Sequence, residues 1–192
     1  MNLIKGVNLL VDKKILRPQT PPDLRNKLMR LIWRMTWIVF AKPTPVVFHR
    51  WRCILLKAFG AKIHIGVHVY PSANIWAPWN LSMDRNSCLS EGVICYNVDF
   101  VHIGANAIVS QYSHLCTASH NYNHADHFLV SAPIIIGDGA WVAADVFIGP
   151  GVNLGKGAVA LARAVVTKSV GEWGVVAGNP ARQIAVRNER VW

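Results

Sequence analysis

Apolar residues recur every six positions between Ile134 and Val166, and this spacing organises the chain. Ile136, Val142, Ile148, Leu154, Ala160 and Val166 form one unbroken column. Ile134, Ala140, Val146, Val152, Ala158 and Ala164 form a second, two residues before it. Gly137, Ala143, Gly149 and Gly155 follow one residue behind the first column, until the pattern lapses at Leu161 and Thr167. A helix repeats near ~3.6 residues and a half-buried strand near ~2, so neither accounts for the spacing. Two inward residues and a small corner residue per hexad describe one flat side of a parallel β-helix, whose sequence signature is the hexapeptide repeat. A Gly- and Val-rich sheet with accidental spacing would not keep the column unbroken.

The repeat begins more loosely after residue 62. Ile65, Pro71, Ala77, Met83, Leu89 and Cys95 take the first column, and Val69, Ile75, Leu81, Ser87 and Val93 the second. Around Asn97 to Val101 the phase slips by two residues, then resumes at Ile103, Val109 and Leu115, with Gly104, Ser110 and Cys116 as corner residues. It stops over Asn121 to Ser131 and restarts at Pro133-Ile134, which predicts a loop over 121–133 thrown out just after His120. Such loops are where repeat scaffolds carry function. Roughly fifteen hexads, three to a coil, predict an all-β solenoid of about five coils.

Ahead of the repeat, residues 1–22 read as an extended arm interrupted by Pro18, Pro21 and Pro22. Asp23 can cap a helix from Leu24 to Ala41, stopped by Pro43 and Pro45. A second helical pattern runs from Val46 to Phe59 and ends at Gly60. In the first helix Lys27, Arg30 and Arg34 share one face, and Leu28, Ile32, Met35 and Val39 the opposite one, with Trp33, Trp37 and Phe40 at the flanks. The expected organisation is a basic N-terminal region (1–62), a β-helix (63–170) and a C-terminal tail (171–192).

Composition narrows the function classes. The 192 residues are 52% hydrophobic, enough for one real core. No apolar run approaches the ~18–20 residues of a membrane span, and the first residues lack the features of a secretory signal, so a cytoplasmic protein is expected. Cys53, Cys88, Cys95 and Cys116 show no close-pair metal spacing and read as reduced packing residues. The net charge is +10, but thirteen Lys and Arg against two Asp fall within residues 1–62, and the remainder holds seven against eight. A repeat body without surplus charge is not expected to bind nucleic acid. An anionic membrane surface or an anionic substrate fits the basic N-terminal region better.

Several segments carry a family resemblance. They are Trp51-Arg52 with Phe59-Gly60-Ala61-Lys62-Ile63, the run Ile75-Trp76-Ala77-Pro78-Trp79-Asn80-Leu81, and Tyr96-Asn97. They continue with Ser110-Gln111, Leu115 to His120, Ile136-Gly137-Asp138-Gly139-Ala140-Trp141, and Val176 to Ala181. On these, the chain from Arg50 onward resembles the hexapeptide-repeat acetyltransferases, in particular the colanic-acid biosynthesis group and the maltose and galactoside O-acetyltransferases. The resemblance implies a left-handed coil, whereas the crossover rule alone predicts a right-handed one. It also implies acetyl-CoA as donor, a homotrimer, and a groove for the pantetheine arm between neighbouring β-helices. Matched by motif, Trp141 and Ala144 would lie beside that groove and Ala162 near the pantetheine, with Lys168 and Arg182 facing the nucleotide phosphates. In the resembling family the histidine at position 120 is the catalytic base.

The residues support that chemistry. Moving an acetyl group from a thioester to a sugar hydroxyl needs a base for the hydroxyl proton, and histidine titrates near neutrality. His120 ends a regular hexad where the loop departs. Relatives often have Asp directly after this histidine, and the chain has Asn121, so Asp99 or a backbone carbonyl is expected to orient the ring. Asn97 and Asp99, at the phase slip one coil away, are acceptor-side candidates that serve equally well as caps on a bulge. His114, His124 and His127 invite a zinc reading, but zinc β-helix enzymes pair histidines five apart, and here His114 and His120 are six apart. No metal is expected. The expected function is O-acetylation of a sugar in exopolysaccharide or other glycan synthesis. The alternatives are a small free acceptor (simple sugar, antibiotic or serine) and a non-catalytic scaffold. For the first helix, the two readings are a basic face on a membrane and an apolar face packed on the first coil as a cap.

Overall fold

The computed structural model describes residues 16–19 and 23–188. Most of the predicted arm therefore lies outside the described residues. Arg17–Pro18, within it, is a short strand.

The repeat folds as a left-handed parallel β-helix with three faces. The first face stacks Lys62–Ile63, Leu81–Met83, Val101–Ile103, Ile134–Ile136 and Asn153–Leu154. The second stacks His68–Val69, Cys88–Leu89, Ile108–Val109, Trp141–Val142, Val159–Ala160 and Gly174–Ala177. The third stacks Asn74–Ile75, Ile94–Tyr96, His114–Cys116, Phe147–Ile148 and Val165–Val166. Five coils are complete, and the Leu154–Val170 bridge with Gly174–Ala177 opens a sixth. Arg182–Val186 then folds back antiparallel on Gly174–Ala177.

Both predicted columns from Ile134 to Val166 are buried, and they fill the interior with Ile, Val, Leu and Ala. Removing a large member such as Leu154 should cost about 2–5 kcal/mol. The small corner residues have a specific cause at three positions. A Cβ on Gly104, Gly137 or Gly155 would lie 2.7 Å from the backbone nitrogen of Asp138, Lys156 or Glu172 on the next coil. These three glycines stack at the corner between the first and second faces, where successive coils touch through backbone and Asp138 Oδ1 also accepts from Ala105 N at 2.8 Å.

The first coil corrects the predicted phase. Ile63, Val69 and Ile75 point inward, and Ile65 is 84% exposed. The chain inserts two residues around Pro78–Asn80, a short 3-10 turn, so that Ile63 stacks against Met83 and Met83 against Ile103. The phase slip at Asn97 to Val101 is the second such insertion, at the same corner one coil later. The third is the segment after Cys116. It is a hairpin and not an irregular loop: Ala118–His120 pairs antiparallel with Leu129–Ser131, and Arg17–Pro18 adds to the outer side of Leu129–Ser131.

Two helices close the open end of the first coil. Asp23 Oδ1 accepts the Asn26 N–H at 2.8 Å and starts α1 (Leu24–Thr36), which runs on into a π-helical turn at Trp37–Ala41. α2 spans His49–Ala58, and Gly60 follows at φ +89°, the left-handed conformation of a helix exit. The predicted cap has the wrong face. Trp33 and Trp37 are buried on the coil, and Leu28, Ile32, Met35 and Val39 are exposed. The indole N–H of Trp33 donates to the Ile75 carbonyl (2.7 Å) and that of Trp37 to the Ala73 carbonyl (2.9 Å). From α2, the fully buried Arg52 donates to the carbonyl of Val69 (2.6 Å), to Thr44 Oγ1 (2.7 Å) and to the carbonyls of Pro45 and Val46. The edge carbonyls of the first coil need hydrogen-bond donors, which leucine cannot supply and tryptophan can.

Candidate functional site

The three insertions share the corner between the third and first faces, and they bond to one another. The Asn97 side chain accepts from Ala77 N at 2.9 Å and donates to the Ala77 carbonyl at 2.6 Å, which ties the second insertion to the first. Asn80 Nδ2 donates to the Val98 carbonyl at 2.8 Å. Asp99 N donates to Thr117 Oγ1 (3.0 Å), and Ser131 Oγ donates to Asp99 Oδ2 (2.8 Å), which ties the hairpin to the second insertion. The result is a wall of irregular chain three coils high.

A cleft of about 850 Å³ lies between this wall and the start of α1. Trp76, Trp79, Tyr96 and Phe128 give it aromatic sides, and Asp23, Asn26 and Arg30 of the helix side give it polar ones. The Trp76 and Tyr96 rings meet edge to face at 5.0 Å, and the Arg30 guanidinium sits 4.6 Å over Trp76. Arg30 Nε also donates to Asn26 Oδ1 at 2.9 Å. Of the predicted basic face, Arg30 is thus engaged with the cleft.

His120 opens onto this cleft from the hairpin. Its Nδ1 lies 2.5 Å from the backbone carbonyl of His127. A carbonyl only accepts, so Nδ1 carries the hydrogen, and the neutral ring has its lone pair on Nε2. The hairpin therefore supplies the orienting group, one of the two expected in place of an acid at Asn121. Asp99 is not that group, because its oxygens accept from Phe100 N (2.7 Å) and Ser131 Oγ.

The structure sets both acceptor-side candidates behind the cleft surface. Asn97 is fully buried with its amide spent on Ala77, and Asp99 is spent on the hairpin, so neither lines the cleft. They build its wall. The polar residues that do line it from α1 were not singled out for this purpose. Of the other histidines, His124 and His127 lie in the turn of the same hairpin, and His114 lies on the third face. His114 packs edge to face on Phe147 at 5.5 Å, and His124 on Phe128 at 5.0 Å, with Asp126 Oδ2 3.5 Å from His124 Nδ1. Among the described residues, no three His, Cys, Asp or Glu side chains converge as metal ligands. Burial raises the pKa of the Cys53, Cys88 and Cys116 thiols and pushes that of Cys95 up to about 12.

The donor-side residues gather elsewhere. Trp141 is exposed, and its indole donates to Ser110 Oγ at 2.9 Å. Ala144 lies at the corner between the second and third faces, where its carbonyl accepts from Arg163 N at 2.9 Å, and the exposed Ala162 is next to that contact one coil on. Lys168 and Arg182 are exposed on the last coils. In a single chain, the third face separates Trp141, Ala144 and Ala162 from His120, whereas Lys168 follows Val165–Val166 and lies at the same corner as His120, two coils further on.

Comparison with known proteins identifies this three-faced solenoid as a hexapeptide-repeat acyl-group transferase. The Escherichia coli (strain K12) protein WcaF, assigned as a colanic acid biosynthesis acetyltransferase, is 41% identical over 162 residues, covering 84% of this chain and 88% of its own. The galactoside O-acetyltransferase of the same organism is 32% identical over 136 residues, 69% of this chain and 58% of its own. A Vibrio cholerae hexapeptide-repeat acetyltransferase, solved with acetyl coenzyme A, shares the fold at a TM-score of 0.79 and 18% identity, over 92% of this chain and 98% of that one. No family model matches the chain. With 41% identity over most of both sequences, the chain belongs to the hexapeptide-repeat acetyltransferases of the colanic-acid type.

Proposed function

We propose that the protein moves an acetyl group from acetyl-CoA to a hydroxyl of a sugar in exopolysaccharide or other glycan synthesis, with His120 as the base. The observation that carries this is the His127 carbonyl on His120 Nδ1, which holds the ring in the tautomer with a free Nε2 at the cleft. Nε2 takes the proton of the sugar hydroxyl as its oxygen attacks the thioester carbon. The carbon–sulfur bond breaks as the tetrahedral intermediate collapses, and the imidazolium returns the proton to the departing thiolate. The aromatic walls suit the apolar faces of a sugar ring, and Asp23, Asn26 and Arg30 suit its hydroxyls.

The donor would run along Trp141, Ala144 and Ala162, with Lys168 and Arg182 as fixed cations for its phosphates. Because Trp141, Ala144 and Ala162 lie on a different corner from His120, one chain supplies half a site. A homotrimer, in which the donor corner of one protomer faces the His120 corner of the next, completes three equivalent sites. The compartment we propose is the cytoplasm, where thiols such as the four unpaired cysteines stay reduced. An acceptor met at the inner face of the cytoplasmic membrane is part of the proposal.

Thiol release from acetyl-CoA, measured over a panel of sugars, nucleotide sugars and small acceptors such as chloramphenicol and serine, tests the reaction. Turnover confined to sugars is expected, and turnover confined to the small acceptors overturns the sugar assignment. Light scattering tests the assembly. A fully active monomer at assay concentration rules out a shared site.

A further inference from the structure

The outward face of α1 is apolar, and nothing in the described chain covers it. Leu24, Leu28, Leu31, Met35 and Ile38 lie opposite Trp33 and Trp37 around the helix and all are exposed, Leu24 at 82%. They form one stripe about 20 Å long. Arg25 borders it on one side and Lys27 and Arg34 on the other, all three exposed. Trp51 Nε1 donates to the Phe40 carbonyl at 2.7 Å, so the start of α2 lies beside the end of the stripe, and there Val46, Val47 and Ile54 add further exposed apolar surface.

The helix cannot hide this stripe by turning over. Its opposite face is fixed by two indole hydrogen bonds to the first coil, so the apolar residues are presented on a rigid support. Contiguous exposed apolar surface of this kind marks an interaction site. We propose that α1 lies flat on an anionic lipid bilayer, with the leucine stripe at the headgroup boundary and Arg25, Lys27 and Arg34 among the phosphates. Charge favours this occupant over a second copy of the chain. Two α1 helices packed through their stripes about a twofold axis would set like-charged borders against each other, whereas an anionic surface complements both borders. The thirteen Lys and Arg among residues 1–62 point the same way. The orientation differs from a basic face laid on lipid, since Arg30 is turned toward Trp76 and the cleft. Because Asp23, Asn26 and Arg30 of the same helix segment line the cleft, docking sets the cleft beside the membrane surface.

Co-sedimentation of the full chain with vesicles reads the contact without reference to acetyl transfer. Pelleting is expected with phosphatidylglycerol–phosphatidylcholine vesicles, weaker at high salt, and little with phosphatidylcholine alone. Leu28→Gln, Leu31→Gln and Met35→Gln combined should reduce partitioning at least about tenfold. Their thermal midpoint should be unchanged, because all three residues are exposed. Lys27→Gln and Arg34→Gln should each weaken it about fivefold. Equal recovery of the wild type in the supernatant with both lipids overturns the proposal, and so does wild-type pelleting by the triple variant. Loss of the oligomeric state in the triple variant, seen by light scattering, assigns the stripe to a second copy and overturns it too.

Discussion

Two corners of the same solenoid are used in opposite ways. Between the first and second faces, Gly104, Gly137 and Gly155 let successive coils touch with no room for a side chain. Between the third and first faces, the first three coils each carry extra residues, which bond to one another and hold a cleft open beside His120. Strict repetition there would leave only backbone and short side chains. The tight corner gives the coils a fixed spacing, and the open corner can then hold an imidazole in place, because its wall stands on coils that do not slide.

The largest expected effect is at the open corner. His120→Ala should lower kcat/KM about 10²–10⁴-fold, the usual contribution of a general base, with circular dichroism and thermal midpoint unchanged. Most of the activity surviving would remove His120 from the chemistry. Next comes Asn97→Ala, which leaves the N–H and carbonyl of Ala77 without partners in a buried wall. About 1–3 kcal/mol for each is expected in urea denaturation, with the acceptor KM of the folded fraction little changed. A raised KM without lost stability would return Asn97 to the acceptor site. At the tight corner, Gly137→Val must push back the Lys156 backbone, at a cost of about 1–3 kcal/mol in stability while kcat/KM per folded molecule stays near the wild-type value. An unchanged thermal midpoint would show that the coils there separate freely.

The smallest effect is a pH dependence on the regular third face. His114 is partly buried against Phe147, its Nε2 has no partner, and burial lowers its pKa from 6.5. The unfolded chain therefore binds a proton there more readily than the folded one. This contribution is present above pH 6.5 and is lost as the pH falls through the lowered folded value. His114→Gln should flatten the fall in thermal midpoint between neutral and mildly acid pH. An identical fall in the variant would place the dependence elsewhere.

The tight corner was also the legible one. From Ile134 onward no residue is inserted, and the inward columns can be read directly. In the first coil, Ile63, Ile65, Val67 and Val69 are all apolar, so the hexad can be phased two ways, and the insertion at Pro78–Asn80 made the wrong one continuous with Met83 and Leu89. Only the structure separates buried Ile63 from exposed Ile65. That His120 would face a cleft could be read from its place at the end of a regular hexad, just where the chain departs from the coil. The places of Asn97 and Asp99 could not, since a polar side chain at a phase slip can bond a ligand or the neighbouring backbone with equal ease. The face of α1 was misjudged for a related reason: apolarity alone would bury the leucines, but the coil beneath needs N–H groups.

Those indole N–H groups also set a limit on growth. A β-helix end is a row of unpaired backbone groups, and an uncovered one accepts the end of another chain as readily as its own next coil. Repeated, that contact is head-to-tail and does not close, and the product is a fibre. Trp33, Trp37 and Arg52 occupy the acceptors of the first coil, and Arg182–Val186 lies across the edge of the last. Both ends of the solenoid are thus covered by terminators, and a chain lacking either one has a route to polymerisation that the intact one does not.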